Sequence, residues 1–152
     1  MNWNVLIASA TVVFSVIAYV LTRRRELAWK RTEFMAAQAQ YFDNDKDLLE
    51  VVIILEDRHP VVTLSMIFDK DSDFDTQKRT EYKQKCDKLF NFLWRLCYAY
   101  DQVKTLSRKE VEGFGWYFWR ISKFPAVVDY CENNGYEDIN TVTKKLKLDL
   151  DD

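Results

Sequence analysis

The sequence predicts a mainly α-helical protein in which one N-terminal transmembrane helix precedes a helical domain. Three observations favour this fold class. The chain has 152 residues, with only three Gly and two Pro, which is enough for about one domain. Residues 1–22 carry no charged side chain, so every charged residue follows them. Within residues 78–100, apolar side chains recur at steps of three and four, the spacing of one helix face.

The first predicted element is a membrane anchor over residues 1–22. Its apolar run, residues 3–22, has about the twenty residues that a helix needs to cross a bilayer. Three arginines follow the run, whereas a secretory signal peptide carries basic residues before it. Because basic flanks stay in the cytoplasm, we expect the N-terminus outside and the remaining chain inside; a buried core helix is the alternative. The residues expected to flank the membrane are Trp3, Tyr19, Arg23, Arg24 and Arg25.

A basic helical connector is predicted for residues 23–44. Residues 26–42 contain no Gly or Pro and are rich in helix formers, so the first helix should continue or restart there. The pattern then breaks, and either Asp45 or Asp47 is suited to cap the next element.

The fold of residues 48–68 is left open by the sequence. Residues 48–55 and 61–68 are both rich in β-branched side chains, and five residues separate them. This pattern fits either a short β-hairpin or two short buried helices. We favour a helix for the first run and leave the second undecided.

The clearest periodic signal lies in residues 78–100, which should form an amphipathic helix. The apolar face is expected to contain Tyr82, Cys86, Leu89, Phe90, Leu93, Leu96, Cys97 and Tyr100. Four cations gather on a different side of the same helix: Lys78, Lys85, Lys88 and Arg95.

The C-terminal part is predicted to contain three more helices. Ser107 and Glu110 have the spacing of a capping box, and Pro125 suits the first turn of a helix that should stop at residues 133–135. A short helix is expected near residues 141–148. The predicted organisation is a transmembrane helix at 1–22, a connector at 23–44, a domain at 45–148 and an acidic tail at 149–152.

The sequence gives no indication of catalysis or metal binding. His59 is the single histidine, and the three cysteines lack the paired spacing of a zinc site. The acidic residues from Asp69 onward resemble a calcium loop, but Phe74 and Thr80 stand where that loop needs Gly and Glu. We therefore expect no enzymatic activity, no metal and no cofactor, and we expect the cysteines to be reduced and buried.

A local site for a small anion is the remaining binding hypothesis. Acidic residues outnumber basic ones by 24 to 22, so binding to long nucleic acid is not expected. A few cations could still hold phosphates, with aromatic rings stacking on bases; a solvated helix face is the alternative. The candidate residues are Arg58, His59, Lys78, Lys85, Lys88 and Arg95. Trp94, Trp116 and Trp119 are expected in the core or in a subunit contact rather than on a base platform.

Three segments carry a resemblance to a known family. They are LFNFLWRLCYAY, LSRKEVEGFGWYFWRI and PAVVDYCENNGY, and they follow an N-terminal spanning helix. This combination resembles small bacterial membrane-anchored effectors of type III CRISPR antiviral defence. The resemblance implies an inner-membrane protein with a cytoplasmic domain that binds cyclic tetra-adenylate. It also implies a tetramer whose spanning helices rearrange on binding until the membrane leaks. The candidate site residues come from the charge pattern and not from this family.

Two other functions compete with this interpretation. The first is a membrane-tethered scaffold that recruits a protein partner and binds no nucleotide. The second is a holin-like membrane protein regulated by its own soluble domain.

Overall fold

The computed structural model describes the backbone of residues 3–146 and the side chains of residues 11–146. Within this range the chain forms helices and no strand, which confirms the mainly α-helical fold class. It divides into two units, Met1–Ala37 and Gln38–Asp152. The helices are α1 (Trp3–Asn44), α2 (Lys46–Leu55), α3 (Leu64–Phe68), α4 (Thr76–Asp101), α5 (Arg108–Glu112), α6 (Gly115–Ser122), α7 (Pro125–Asn133) and α8 (Glu137–Leu146).

Helix α1 is continuous, and the predicted connector, residues 23–44, lies entirely within it. Among the residues described, no helix has both the length and the apolar character needed to span a bilayer. The predicted anchor falls partly outside that range, because residues 1–2 and the side chains of residues 3–10 are not described. The predicted acidic tail, residues 149–152, also lies outside the described residues.

The described side chains of the first unit are almost all exposed. Large apolar side chains between residues 12 and 21 are 42–76% exposed within the single chain. They are Val12, Val13, Phe14, Val16, Ile17, Tyr19, Val20 and Leu21.

Asp45 is the single residue between α1 and α2, and its extended backbone ends the first helix. Its carboxylate accepts hydrogen bonds from the backbone N–H groups of Asp47 (2.9 Å) and Leu48 (3.3 Å). These N–H groups would otherwise lack partners in the first turn. The prediction of a cap at this position is confirmed for Asp45.

The β-hairpin alternative for residues 48–68 is wrong, because both apolar runs form helices. In α2, burial of Leu48, Val51 and Ile54 follows a helical spacing. In α3, the Thr63 hydroxyl accepts a hydrogen bond from the Met66 N–H, and the following apolar residues are buried. Packing against α4 therefore outweighs the preference of β-branched residues for strands.

Helix α4 confirms the predicted amphipathic helix and extends it to 26 residues. The Asp75 carboxylate caps its first turn by accepting from the Lys78 N–H at 2.8 Å. Helices α2, α3, α5 and α8 all contact α4, so its apolar side lies at the centre of the second unit. The buried residues of α4 are Cys86, Leu89, Phe90, Phe92, Leu93, Leu96, Cys97 and Ala99.

The described part of the chain after α4 contains four helices rather than the three predicted, because the helical structure breaks between α5 and α6 at residues 113–114. The capping box of α5 is formed, with the Glu110 carboxylate accepting from the Ser107 N–H at 2.6 Å. Helix α7 begins at Pro125, and Gly135 takes a positive φ of 83° after its end. Helix α8 begins four residues before the predicted 141.

Two arginines close helix ends from distant parts of the chain. The Arg120 Nε donates to the carbonyl oxygen of Leu55 at the end of α2 (2.7 Å), and its guanidinium also pairs with Asp57. The Arg108 guanidinium donates to the carbonyl oxygen of Leu146 at the end of α8 (2.8 Å). Each arginine donates to a carbonyl group that has no other partner among the described residues.

Phe42 anchors the last turn of α1 in an aromatic cluster. Its ring centroid lies 5.0 Å from that of Phe92 in α4, 5.3 Å from Tyr117 and 6.3 Å from Phe114. The Phe42 side chain is buried, whereas its neighbour Tyr41 is 42% exposed. Aromatic pairs at these separations add to the free energy gained by burial.

We expect Phe42→Ala to lower the free energy of unfolding by about 3 kcal/mol, because it leaves a cavity among three rings. The measurement is urea unfolding of the detergent-solubilised chain. The matched control is Tyr41→Ala, which should change the free energy of unfolding by less than about 0.5 kcal/mol. Equal effects of the two substitutions would contradict the anchoring role of Phe42.

Candidate ligand-binding residues

Glu50 of α2 is the centre of a polar cluster that joins α2 to α4. Its carboxylate accepts hydrogen bonds from the Lys85 ammonium (2.9 Å) and the Tyr82 hydroxyl (3.2 Å). The His59 Nε2 lies 3.5 Å from the same carboxylate, and Glu81 also pairs with Lys85 at 2.9 Å. Two of the six candidate residues, His59 and Lys85, therefore already contact carboxylates.

The pKa values of this cluster report the same pairing. The hydrogen bond to Glu50 raises the pKa of Lys85 above its ordinary value, despite partial burial. Partial burial alone would raise the pKa of Glu50, but the Lys85 ammonium and the Tyr82 hydroxyl together lower it. Folding thus favours the charged forms of both Lys85 and Glu50.

Lys88 contacts the junction between α1 and α2. Its ammonium lies 2.5 Å from the Asp47 carboxylate and 3.2 Å from the Asp45 carboxylate. Asp45 is also the residue that caps α2, so a cation from α4 contacts the turn where α1 ends.

The loop after α2 contains the other paired candidates. Arg58 is exposed and pairs with the neighbouring Glu56. The His59 Nδ1 accepts from the backbone N–H groups of Val61 (3.3 Å) and Val62 (2.9 Å). The imidazole therefore stabilises the loop, and its position between Glu50 and these N–H groups explains its partial burial.

Lys78 and Arg95 differ from the other four candidates. Both side chains are exposed on α4, and no described residue forms an ion pair with either. The sequence predicts the four α4 cations on one side of the helix, but it does not show that α2 supplies carboxylates to two of them, Lys85 and Lys88. Of the six candidates, only the side chains of Lys78 and Arg95 form no ion pair with a described carboxylate, although the Asp75 carboxylate accepts from the Lys78 backbone N–H.

A groove of about 710 Å³ opens beside α3, α4 and α7, and none of the six candidates lines it. The Lys83 ammonium lies over the rings of Tyr130 (5.5 Å) and Phe68 (5.9 Å). The Tyr130 hydroxyl donates to Asp87 at 3.0 Å. The charged residues that line the groove are Asp69, Asp71, Asp129, Lys70 and Lys83. The groove lining has three carboxylates and two ammonium groups, so it is less suited to a ligand with several phosphates than a surface with an unpaired cation is.

Sequence reasoning did not identify Lys83 as a groove residue. Lys83 lies on the opposite side of α4 from the four predicted cations, and its neighbours in the groove come from α3 and α7. The sequence shows Lys83 only as a lysine that follows Tyr82 on an amphipathic helix. Such lysines are common on helices with a solvated side, so the sequence does not single Lys83 out.

The three cysteines are buried, as the sequence predicted, and no disulfide links them. Burial raises the pKa of the Cys131 thiol to about 12 and raises the pKa values of Cys86 and Cys97 as well. Thiols held in the protonated form are poor nucleophiles and poor metal ligands. Across the described residues, no group of His, Cys, Asp or Glu is arranged to hold a metal ion.

The residues predicted to flank the membrane lie on α1. Tyr19 is 70% exposed, and Arg24 and Arg25 are also exposed. Arg23 pairs with Glu26 at 3.4 Å, one helical turn later. The side chain of Trp3 lies outside the described residues.

Comparisons of the chain with protein-family models, with curated proteins and with solved structures gave no match.

We expect the contribution of Glu50 to depend on pH. Because its pKa is lowered by folding, its contribution to stability is complete above the ordinary carboxyl pKa of about 4.3 and is lost as the pH falls through the lowered value. The difference in urea midpoint between the native chain and Glu50→Gln should therefore be largest near pH 7 and disappear in acid. Glu81→Gln, whose side chain is 60% exposed, should show a smaller difference. A difference for Glu50→Gln that stays constant down to acid pH would contradict the ion-pair assignment.

The cysteines should resist alkylation while the chain is folded. Iodoacetamide reacts with thiolates, and burial suppresses both access and ionisation of all three thiols. Intact-protein mass spectrometry at neutral pH is expected to show no adduct in buffer and three adducts in denaturant. Rapid labelling of any cysteine in buffer would mean that this part of the core opens.

Proposed function

We propose that this protein is a non-enzymatic, membrane-anchored effector of bacterial antiviral defence that binds cyclic tetra-adenylate. The observation that carries the proposal is the continuity of α1, which runs without a break from the predicted anchor, through the three arginines, to Asn44. A single helix of this kind gives a ligand-binding domain a direct covalent connection to the membrane.

The sequence and the exposure of α1 support the membrane anchor. Residues 1–22 have no charged side chain, and the arginines that follow are suited to the cytoplasmic headgroup region. The large apolar side chains of residues 12–21 are exposed in the single chain, and exposed apolar surface of this extent needs a cover. A single pass through the bacterial inner membrane, with residues 26–152 in the cytoplasm, provides that cover.

The resemblance described above and the unpaired cations of α4 support the ligand. Cyclic tetra-adenylate has four phosphates in a symmetric ring, so a cyclic tetramer can offer one equivalent cation to each phosphate. One exposed cation per chain is then enough to contact every phosphate of the ring. An acidic protein can therefore bind this anionic ligand. Lys78 and Arg95 meet this requirement, because neither side chain forms an ion pair with a described carboxylate.

Gating requires that the ligand binds one arrangement of the tetramer better than another. Within the second unit, the last turn of α1 is held to α4 by Phe42 and by the Lys88 contacts at Asp45. A change at α4 that follows ligand binding would therefore reach the end of α1 through these contacts. The spanning helices then rearrange, and they open a pore or disrupt the membrane.

The full chain, reconstituted into dye-loaded vesicles, should bind cyclic tetra-adenylate and release the dye. Cyclic tri-adenylate, cyclic hexa-adenylate and linear tetra-adenylate serve as ligand controls, and vesicles without protein serve as the membrane control. We expect saturable binding and leakage with the four-membered ring and at least tenfold weaker binding of the others. Binding of none of these nucleotides would overturn the proposal and favour the scaffold function.

A further inference from the structure

Helix α4 carries a stacked aromatic pair outside the protein core. The ring centroids of Trp94 and Tyr98 lie 5.6 Å apart, with 25° between the ring planes. Tyr98 is 47% exposed, and Trp94 is half-buried. The two residues are one helical turn apart on the same side of α4. Part of the pair is therefore accessible to solvent in the single chain, at a position where the sequence predicts Trp94 in the core or in a subunit contact.

Arg95 lies beside this pair with its charge unpaired. It comes three residues before Tyr98, within the distance at which helix side chains are neighbours. Its side chain is exposed, and no described residue forms an ion pair with it. The nearest following carboxylate on the helix, Asp101, is neutralised by Lys145 at 2.6 Å and Lys104 at 3.4 Å. Asp101 is therefore engaged by lysines and is not paired with Arg95.

The other unpaired candidate, Lys78, has different surroundings. It is 17 residues before Arg95, or about 25 Å along the helix axis. The aromatic residue one turn after it, Tyr82, is only partly exposed, and its hydroxyl group donates a hydrogen bond to Glu50. Of the six candidate residues, Arg95 is thus the one that combines an unpaired charge with an exposed aromatic surface.

We propose that Trp94, Arg95 and Tyr98 form the nucleotide-binding surface of the domain. An adenine base stacks on the aromatic pair, and the Arg95 guanidinium donates hydrogen bonds to the adjacent phosphodiester. Stacking on an aromatic side chain accepts any base, while an arginine fork suits two phosphate oxygens. This assignment rests on the proposed function, since it names the residues that recognise the cyclic oligoadenylate.

The test measures binding of cyclic tetra-adenylate to the full chain in detergent micelles. Tyr98→Leu keeps an apolar side chain but removes the ring, and it should weaken binding about tenfold or more. Tyr98→Phe should bind within about twofold of the native chain, because the ring remains. Arg95→Gln should weaken binding and also reduce its dependence on salt concentration.

Two variants at other exposed positions are the matched controls. Tyr41→Leu removes a tyrosine of similar exposure (42%) from α1. Lys109→Gln removes an exposed cation from α5. Both should bind like the native chain. Circular dichroism and the oligomer mass are measured for every variant, so that a loss of affinity can be separated from a loss of structure or assembly.

Indole fluorescence gives a second readout that a purely structural role would not produce. Stacking of adenine on Trp94 should quench its emission when the ligand binds. Trp94→Phe should retain most of the affinity while losing this quenching, because phenylalanine still offers a ring.

The outcomes separate this proposal from the proposed function. If the native chain binds and Tyr98→Leu binds equally well, the aromatic surface is not the site, although the function stands. If Tyr98→Leu loses affinity only together with a smaller oligomer mass, the pair is a subunit contact and the proposal is wrong. If the native chain binds no cyclic oligoadenylate, both proposals fail together.

Discussion

Burial of one side of α4 is the constraint on which the second unit depends. Four helices from both halves of the chain pack on this side, and its apolar residues include Phe90, Phe92 and Leu93. Because these helices cover much of α4, its solvent-exposed residues lie along one side of the helix, and they include Tyr98 and Arg95. The rigid core and the proposed binding surface are therefore two sides of the same helix. A ligand on the outer side meets a support that is already ordered, which lowers the entropic cost of binding.

Local signals in the sequence were sufficient for most helices. The apolar spacing of α4, the capping box of α5 and the proline of α7 each act within a few residues, so they can be recognised without knowledge of the fold. The helix α3 could not be assigned in this way, because its five residues span less than two helical turns and have no helical period to detect, while the β-branched residues just before them favour a strand. Its conformation follows from the Thr63 cap and from burial against α4, and burial is a tertiary effect.

The candidate site was predictable only in part, for a similar reason. Helical spacing predicts the α4 cations on one side of the helix. Which of them remain unpaired depends on Glu50, Asp45 and Asp47, which approach from 35 or more residues away. Charge counting along the chain treats all these cations alike, whereas the fold uses some of them to hold α2 and leaves Arg95 to solvent. An acidic domain can therefore present a strongly localised positive charge without being basic overall.

The arginine that closes α2 has a consequence for how the chain is made. Arg120, which donates to the carbonyl of Leu55, lies 65 residues after it. At bacterial and eukaryotic synthesis rates, α2 leaves the ribosome roughly 3 to 13 seconds before its partner does. During this interval α4 emerges and can cover the apolar side of α2, but the contacts of α2 with α6 are still missing, while an anchored N-terminus would keep the nascent chain close to the bilayer. Folding of the second unit is thus a late event in translation, and protection by chaperones is most valuable before the last helices emerge.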